Sequence, residues 1–230
     1  MLYLIYQTGQ ELSSIVDKKK LIKRTYNSSR RLEQARQTRR EIIEAARKLF
    51  IERGYAGATL DAIAQEAGVA VETVYASFGN KRAILTKLMD VSLVGDDEPV
   101  PLLQREGPQT VQQEKDQRRQ IELFVQDIYE IMSRTAPVFE VMRTAAKTEP
   151  DISEMLQNML NARVQGMGAF IKFLSANGPL RNRLTHEDAA ETVWAMTSAE
   201  VFGLLNFDRG WSGEQYKKWL ADALERLLLP

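Results

Sequence analysis

The sequence contains no cysteine and a single histidine, His186. The absence of cysteine excludes disulfide bonds, zinc sites built from thiolates and redox sensing by a thiol. His186 has no cysteine or acidic partner at the spacing of a metal site, so we interpret it as a surface residue and expect no bound metal. The sequence also shows no Ser-His-Asp set, no paired pocket carboxylates and no glycine-rich phosphate loop. We therefore expect neither an enzyme nor a cofactor.

Long apolar runs are missing as well. No stretch approaches the roughly 18–20 apolar residues that cross a bilayer, and the apolar start of the chain is interrupted too soon to act as a signal peptide. We therefore expect a cytoplasmic protein that does not bind membranes. The hydrophobic fraction of 44% is nevertheless sufficient for a core, and 230 residues allow one large domain or a small and a medium-sized one.

Apolar residues recur at spacings of three and four along most of the chain, which predicts α-helices. The first helix is predicted over residues 33–53, and Gly54 is expected to end it. Thr59 is placed to cap a second helix, and another begins after Asn80. Residues 95–116 contain several prolines and glycines, so we expect an irregular connection with at most one short helix.

The same periodicity continues in the second half of the chain. Asp116 begins a helix that Pro137 is expected to break, leaving a shorter segment after it. Three further helices begin at residues that favour helix N-termini, namely Pro150, Thr185 with Asp188 as a capping box, and Ser212. The first of these is expected to stop at Gly178 and the second to reach about Phe207. No strand pattern appears after residue 10, so the sequence predicts an all-α fold.

Residues 59–78 predict a helix-turn-helix, in which two short helices meet at a tight turn. Ala64 is small enough to let the helices cross closely, and Gly68 can adopt the positive φ that the turn needs. Three apolar residues would pack between the helices: Ile63, Val69 and Val74. The second helix of such a motif lies in the major groove of DNA.

The net charge of zero conceals an asymmetry. Residues 1–90 contain 16 Lys and Arg but 10 Asp and Glu, a net charge of +6, and the remainder carries −6. Ten of the basic residues lie between positions 18 and 40, where Glu33 is the one acid. Such a block is usually a solvated tail. Directly before a helix-turn-helix, it is better interpreted as an arm that neutralises phosphates or enters a minor groove.

Positions 40–81 read REIIEAARKLFIERGYAGATLDAIAQEAGVAVETVYASFGNK. This stretch resembles the DNA-binding domain of the TetR family of bacterial transcriptional repressors, and the resemblance extends over about residues 36–90. It implies an N-terminal three-helix helix-turn-helix domain over residues 30–90. Residues 1–29 show no sustained apolar period, so we expect a flexible N-terminal extension there. Residues 91–230 would form a C-terminal helical domain that binds an effector and dimerises.

The outward face of the second helix of the motif is expected to contact base edges. We hypothesise that Glu72 accepts a hydrogen bond from a cytosine amino group and that Val71 or Thr73 touches a thymine methyl. Glu72 would equally favour a helix N-terminus without contacting DNA. Ala70 departs from the family pattern, which usually has a small hydroxyl residue there, and this removes a cap from the helix.

Phosphate contacts are expected around this helix. Tyr75 resembles the family's phosphate-contacting tyrosine, although it could instead pack between helices. Lys81 and Arg82 place two cations in the first turn of a helix, where the helix dipole disfavours them unless a phosphate binds there. Surface salt bridges are the alternative. Thr59, at another helix start, and Arg40, from the basic block, complete the predicted DNA contacts.

The C-terminal half is rich in methionine and aromatic residues, and six of the eight methionines lie between positions 132 and 196. Methionine-rich linings suit adaptable pockets, although most of these side chains would also fill an ordinary core. The resemblance implies an effector cavity among these helices, and we expect a small lipophilic or amphipathic effector. The predicted lining residues are Phe124, Met132, Met142, Met159, Phe170 and Trp194.

Small residues recur every four positions in the penultimate predicted helix, which would let another helix approach closely. With the apolar face of the last helix, this seam suggests a two-fold, four-helix interface in a homodimer. The same seam could instead pack within one chain. The predicted interface residues are Ala195, Ala199, Gly203, Trp219, Leu220 and Leu227.

These features together predict a sequence-specific transcriptional regulator, namely a repressor that a lipophilic effector releases from a palindromic operator in double-stranded DNA. A DNA-binding architectural protein of the same fold without an effector response is the first alternative. A helical enzyme or lipid carrier is the second, and the missing catalytic set and the basic N-terminal half disfavour it.

Overall fold

A computed structural model of the protein describes residues 18–230, with side chains described from Arg30 onward. This described part is all-α and contains no β-strand, as the sequence predicts. Its helices are α1 (Lys18–Gly57), α2 (Leu60–Glu66), α3 (Val71–Phe78), α4 (Lys81–Val94), α5 (Glu106–Gln113), α6 (Gln117–Ala145), α7 (Pro150–Ala176), α8 (His186–Met196), α9 (Ala199–Gly203) and α10 (Gly213–Leu228). A 3₁₀ turn, Leu102–Gln104, precedes α5, and a π-helical turn, Leu204–Asp208, follows α9.

The chain divides into two units, with the boundary after Glu41. In the first unit, Gln37 Nε2 donates a hydrogen bond to Glu41 Oε1 at 3.0 Å, and the Arg40 guanidinium lies 4.0 Å from Glu33 Oε1. Up to residue 17, the predicted N-terminal extension lies outside the described residues. From Lys18 the backbone is already part of α1. The second unit, residues 42–230, holds the remaining elements.

The first hydrophobic core of the second unit encloses the helix-turn-helix. It contains the end of α1 together with α2, α3 and α4, and Ile63, Val74 and Leu88 are fully buried in it. The C-terminal part of α6 and the first half of α7 complete this core through residues such as Met142 and Ile152. The helix-turn-helix therefore shares its core with two helices from the rest of the chain.

A second hydrophobic core lies among α5, the N-terminal part of α6, the second half of α7, α8 and α10. Ile121, Ile171, Val193 and Leu224 are fully buried in it. The helix α6 thus contributes its residues up to Ala136 to the second core and those from Val138 to the first core. This long helix links the two cores covalently.

Pro137 lies inside α6, at the point where the helix passes from one core to the other. The prediction that Pro137 breaks this helix is therefore wrong. A proline in a helix interior removes one hydrogen bond and costs about 3 kcal/mol. The neighbouring Ala136 is buried in the second core and Val138 in the first. Packing on both sides of the proline therefore holds the helix together.

The helix predicted to reach from Thr185 to about Phe207 is divided into α8 and α9. Ser198 has an extended backbone, with ψ of 155°, and its Oγ accepts a hydrogen bond from the Val201 amide at 3.3 Å, so it begins a new helix. Thr197 Oγ1 donates to the Val193 carbonyl at 2.7 Å. The seam of small residues predicted for one helix is consequently split, with Ala195 on α8 and the other two on α9.

The connection between α4 and α6 contains more helix than predicted, since both a 3₁₀ turn and α5 form there. Arg105 explains part of this order: its two terminal nitrogens donate to the Asp96 carboxylate at 2.5 and 2.7 Å. These hydrogen bonds lower the pKa of Asp96 to about 2. Val111 of α5 is buried against the second core, which gives the short helix a packed face.

Most helix ends agree with the sequence. Gly54 has φ of +69° and a non-helical backbone, so α1 is kinked at the position where the sequence predicts its end. The predicted caps Thr59 and Thr185 accept hydrogen bonds from the amides three positions later, and so do Asn80 and Ser212, after which helices were predicted to begin. These polar side chains satisfy amide groups that the first turn of a helix leaves without partners.

Candidate functional sites

The turn between α2 and α3 has the geometry that the sequence predicts. Gly68 has φ of +67°, and a side chain there would meet no atom within 4 Å, so the backbone conformation alone requires glycine. The Val69 amide donates to the Ala64 carbonyl at 3.0 Å and closes the turn. Ala64 and Val74 are buried between the helices. The direction of α3 is therefore fixed by the turn and by the apolar contact.

The face of α3 that was predicted to bind DNA is accessible in the second unit. Tyr75 is 53% exposed and does not pack between helices. Glu72 is also exposed, whereas Thr73 and Val71 are half-buried, and Val71 packs partly against the first core. The α3 N-cap, Ala70, makes no side-chain hydrogen bond, in agreement with the missing cap noted in the sequence.

Lys81 begins α4 and is held by α1. Its Nζ donates to the Tyr55 carbonyl at 2.7 Å and lies 4.3 Å from the centre of the Tyr55 ring. Partial burial lowers the pKa of Lys81. This ammonium therefore fixes α4 against the end of α1, and an ammonium group has three donors, so further hydrogen bonds are possible.

The other cationic and hydroxyl positions differ in their surroundings. The Arg82 guanidinium lies 3.4 Å from the Asp151 carboxylate of α7, which is the surface salt bridge considered as the alternative to a phosphate site. Thr59 is exposed and its hydroxyl accepts from the Ala62 amide at 3.1 Å. Arg40 belongs to the first unit and is exposed there.

The six residues predicted to line an effector cavity do not lie together. Met142 and Met159 belong to the first core or pack against it, and the other four belong to the second. In the second core the Phe124 and Phe170 rings stack with their centres 3.8 Å apart. These two side chains are nearly fully buried and pack on one another.

A cleft of about 450 Å³ lies elsewhere, between the middle of α6 and α9. None of the six predicted lining residues contributes to it. It includes three strongly exposed apolar side chains: Ile51, Leu204 and Phe207. Ala199 and Gly203, which were predicted at a dimer interface, also line this cleft.

The predicted interface residues differ in the surface they offer. Leu227 is 41% exposed, Ala195 is exposed, and Trp219, Ala199 and Gly203 are half-buried. Leu220 is fully buried in the second core of its own chain. Leu220 therefore offers no surface to a second copy, because the amphipathic α10 turns that position inward.

A group of polar side chains in the second core was not predicted from the sequence. Arg163 of α7 donates from Nη2 to Thr197 Oγ1 at 2.6 Å, and its guanidinium carbon lies 5.6 Å from the centre of the Trp194 ring. Burial lowers the pKa of Arg163 to about 10 and raises the pKa of Tyr216 to about 12, and the two groups interact electrostatically. The sequence does contain an indication that Arg163 faces the protein interior: it lies four residues from both Met159 and Met167, on the apolar stripe of α7.

Two donors in this group have no partner. Trp194 Nε1 and the Tyr216 hydroxyl are buried and make no hydrogen bond within the described part of the chain. Leaving a buried polar group unsatisfied costs about 1–3 kcal/mol. Arg163, Trp194, Thr197 and Tyr216 are called the polar cluster below.

The arrangement of α1 to α4 agrees with comparisons to known proteins. The family of bacterial regulatory proteins named for TetR matches residues 42–88. Over 176 residues, the chain is 30% identical to the HTH-type transcriptional regulator TtgR of Pseudomonas putida, covering 75% of this chain and 80% of that protein. The chain belongs to the TetR family. It is a DNA-binding transcription regulator with a helix-turn-helix domain.

Two further comparisons place this TetR-family regulator among its relatives. A segment of 58 residues is 45% identical to the probable HTH-type transcriptional regulator ArpR of Pseudomonas putida, covering 25% of this chain and 28% of that one. The crystal structure of NalD, the secondary repressor of the MexAB-OprM multidrug efflux pump in Pseudomonas aeruginosa, has the same fold, with a TM-score of 0.63 and 21% identity over 86% of this chain and 98% of NalD.

These relatives are transcriptional regulators, and the family assignment agrees with the prediction of a DNA-binding transcriptional regulator. Of the helices between residues 18 and 230, none is both long enough and apolar enough to cross a membrane.

Proposed function

We propose that the protein is a repressor that binds a palindromic operator as a homodimer and is released by a small lipophilic or amphipathic effector. Residues 30–90 would bind DNA, and residues 91–230 would bind the effector and dimerise. The observation that carries the proposal is the exposed face of α3 at Tyr75, on a helix whose direction is fixed by the Gly68 turn. The similarity to TtgR over most of the chain supports it.

The DNA contacts of the proposal follow from the exposure of α3 and its neighbours. Glu72, Val71 and Thr73 would meet base edges, and Tyr75 a phosphate. Lys81 and Thr59 would bind phosphates beside α3, and Arg40 would contribute from the basic segment. Two copies of α3 in a dimer would enter successive major grooves about 34–36 Å apart.

The dimer would form through α9 and α10. The accessible predicted residues are Leu227 and Trp219 on α10 and Ala195, Ala199 and Gly203 on α8 and α9. Such an isologous interface brings together the same surface of two subunits. Leu220 is not part of it, because it is buried in its own chain.

An effector in the second core would act on DNA binding through α6. The Arg47 guanidinium of α1 donates to the Arg134 carbonyl at 3.3 Å and to Ser92 Oγ at 2.9 Å, and Arg134 Nε donates to the Ser92 carbonyl at 3.0 Å. These bonds join α1, α4 and α6 between the two cores. A ligand that displaces α6 would therefore move the helix-turn-helix, with a coupling of typically about 1–3 kcal/mol.

The proposal is tested by DNase footprinting on the DNA upstream of the gene for this chain and of its neighbours. We expect one protected palindrome, with protection lost when a lipophilic effector is added. Tyr75→Ala should abolish the footprint, whereas Leu103→Ala should not, since Leu103 is exposed to a similar extent, 50%, but lies outside the helix-turn-helix. Equal binding to every DNA sequence would contradict the proposal.

The architectural alternative keeps one specific observation in its favour. The predicted lining residues Phe124 and Phe170 fill the second core by stacking on one another, which leaves little room between them. If no compound changes the footprint while sequence-specific protection is retained, the protein binds DNA without responding to an effector.

A further inference from the structure

Among the side chains that the structure describes, the polar cluster of the second core combines two buried donors that have no hydrogen-bond partner with a cation, Arg163, whose one side-chain partner is the neutral hydroxyl of Thr197. The Tyr216 side chain is 0% exposed and its hydroxyl has no partner among the described residues. Trp194 Nε1 is a donor only, and it too is buried and unpaired. Buried polar groups are nearly always hydrogen-bonded, so two such groups in one core require an explanation.

The cation beside these donors also lacks a counter-ion of its own. Arg163 donates to the neutral hydroxyl of Thr197, and no carboxylate lies within 4.0 Å of its guanidinium in the described part of the chain. The acid that interacts with it electrostatically is Glu200, and the Glu200 carboxylate already forms an ion pair with Arg143. A cation that is partly removed from water and not neutralised attracts an anion.

The elements that carry these groups meet in one region. Arg163 is on α7 and its guanidinium carbon lies 5.6 Å from the centre of the Trp194 ring of α8, and Trp194 packs against the core in which Tyr216 of α10 is buried. The neighbouring side chains are a thioether and an aromatic ring. Met167 Sδ lies 3.9 Å from Thr197 Oγ1, and the centre of the Phe202 ring lies 5.2 Å from that of Tyr216. A ligand here would meet donors at one end and an apolar surface around them.

From this arrangement we propose that the effector is an amphipathic monocarboxylate, with its carboxylate bound by Arg163, Trp194 Nε1 and the Tyr216 hydroxyl. The proposal rests on the effector response proposed above and names its ligand class. A neutral lipophile without a polar group would leave Trp194 Nε1 and the Tyr216 hydroxyl unpaired and the charge of Arg163 uncompensated. A dianion such as a phosphate monoester would carry a second charge that a single arginine, with Glu200 near it, does not neutralise.

The experiment measures ligand binding to the full-length protein by isothermal titration calorimetry, without DNA. The probes are decanoate and 2-naphthoate, compared with 1-decanol and 2-naphthalenemethanol, which have the same apolar bodies and no charge. We expect at least one carboxylate to bind at least about tenfold more tightly than its alcohol, because hydrogen bonds to a charged group are stronger than neutral ones.

Substitutions inside and outside the polar cluster show whether the preference for a carboxylate depends on this cluster. Arg163→Gln should remove the preference for the carboxylate, Arg163→Lys should keep part of it, and Tyr216→Phe should reduce it several-fold. Lys172→Gln, which removes an exposed cation from the same helix, should change nothing. Circular dichroism checks that each variant is folded, and Tyr216→Phe keeps the test valid if Arg163→Gln does not fold.

The result that overturns the proposal is clear. If neither carboxylate binds more tightly than its alcohol, or if Arg163→Gln and Tyr216→Phe leave the preference unchanged, the polar cluster does not bind a carboxylate. The footprint is then repeated with each probe. A carboxylate that binds without changing the footprint would support the ligand class and refute the effector response. Release of the protein from DNA by an alcohol alone would support the effector response and refute the carboxylate as its ligand class.

Discussion

The two cores of the second unit contain similar apolar side chains but differ in how their polar groups are satisfied. Beside the first core, the half-buried Lys81 donates a hydrogen bond to the Tyr55 carbonyl. In the second, Trp194 Nε1 and the Tyr216 hydroxyl have no partner in the part of the chain that the structure describes. Satisfied polar networks make an arrangement rigid, whereas an unpaired buried polar group costs stability. The first core is therefore suited to holding α3 in place, and the second contains the unpaired groups on which the proposed effector site depends.

The difference matters because α6 belongs to both cores. Its residues up to Ala136 pack in the second core and those from Val138 in the first. A change in the second core can thus reach the DNA-binding helices through one continuous element, without a flexible linker between two domains.

The largest effect is expected from a matched pair of cavity-creating substitutions, one in each core. Leu88→Ala in the first core and Leu220→Ala in the second each remove a fully buried side chain. Each should lower the free energy of unfolding by about 2–5 kcal/mol, measured by urea denaturation. Leu88→Ala should also weaken DNA binding, measured by fluorescence anisotropy, more strongly than Leu220→Ala, because Leu220 packs in the second core and can affect α3 only through α6. Equal losses of DNA affinity would show that the cores do not act separately.

A second matched pair tests whether the turn before α3 requires glycine. Gly68→Ala should destabilise the protein by about 1–2 kcal/mol, because a side chain is unfavourable at φ of +67°. Gly166→Ala, in the helical α7, meets no atom within 4 Å and should stabilise by about 0.5–1 kcal/mol. Thermal denaturation compares the two, and a neutral Gly68→Ala would mean that the turn relaxes.

A pH effect is expected at the edge of the second core. Burial, and then the neighbouring Glu130, raise the pKa of Asp127 to about 6. Because the folded state holds this proton more tightly than the unfolded state, its contribution to stability is present at low pH and is lost as pH rises from about 4 to about 6.

Asp127→Asn should therefore stabilise the protein above pH 6, by about 1–2 kcal/mol after allowance for partial exposure of the group, and give no gain near pH 4. Urea denaturation at several pH values measures this difference. A gain that is the same at every pH would refute the assignment to Asp127.

The smallest expected effect concerns the unpaired hydroxyl itself. Tyr216→Phe removes a buried donor without changing the shape of the ring, and it should leave stability unchanged or raise it by up to about 1 kcal/mol. Differential scanning calorimetry of the ligand-free protein provides the measurement. A clear loss of stability would mean that the hydroxyl has a partner and that the second core is as well satisfied as the first.

The sequence was sufficient for the features that depend on neighbouring residues. The helix-turn-helix, its Gly68 turn, the cap at Thr59 and the start of a helix after Asn80 follow from local backbone requirements, and the structure confirms them. The all-α fold follows in the same way from the spacing of apolar residues.

The features that depend on distant contacts were not predictable. Pro137 remains in a helix because two separate cores pack around it, and Ser198 interrupts a helix because its hydroxyl caps the next one. The members of the polar cluster lie on α7, α8 and α10 and at the residue that follows α8. No local sequence pattern could show that these helices bring Arg163, Trp194 and Tyr216 to the same core. The predicted cavity lining was likewise divided between two cores because composition does not show which side of a helix faces which neighbour.

The most direct test of the account is the DNA affinity of a variant whose α3 surface is changed while the first core is kept. Glu72→Ala, Thr73→Ala and Tyr75→Ala together alter accessible positions of α3 and leave the buried Val74 in place. Anisotropy titration with operator and unrelated DNA should show loss of the preference for the operator, with an unchanged melting temperature. Retained discrimination between the two DNAs by a folded variant would contradict the account.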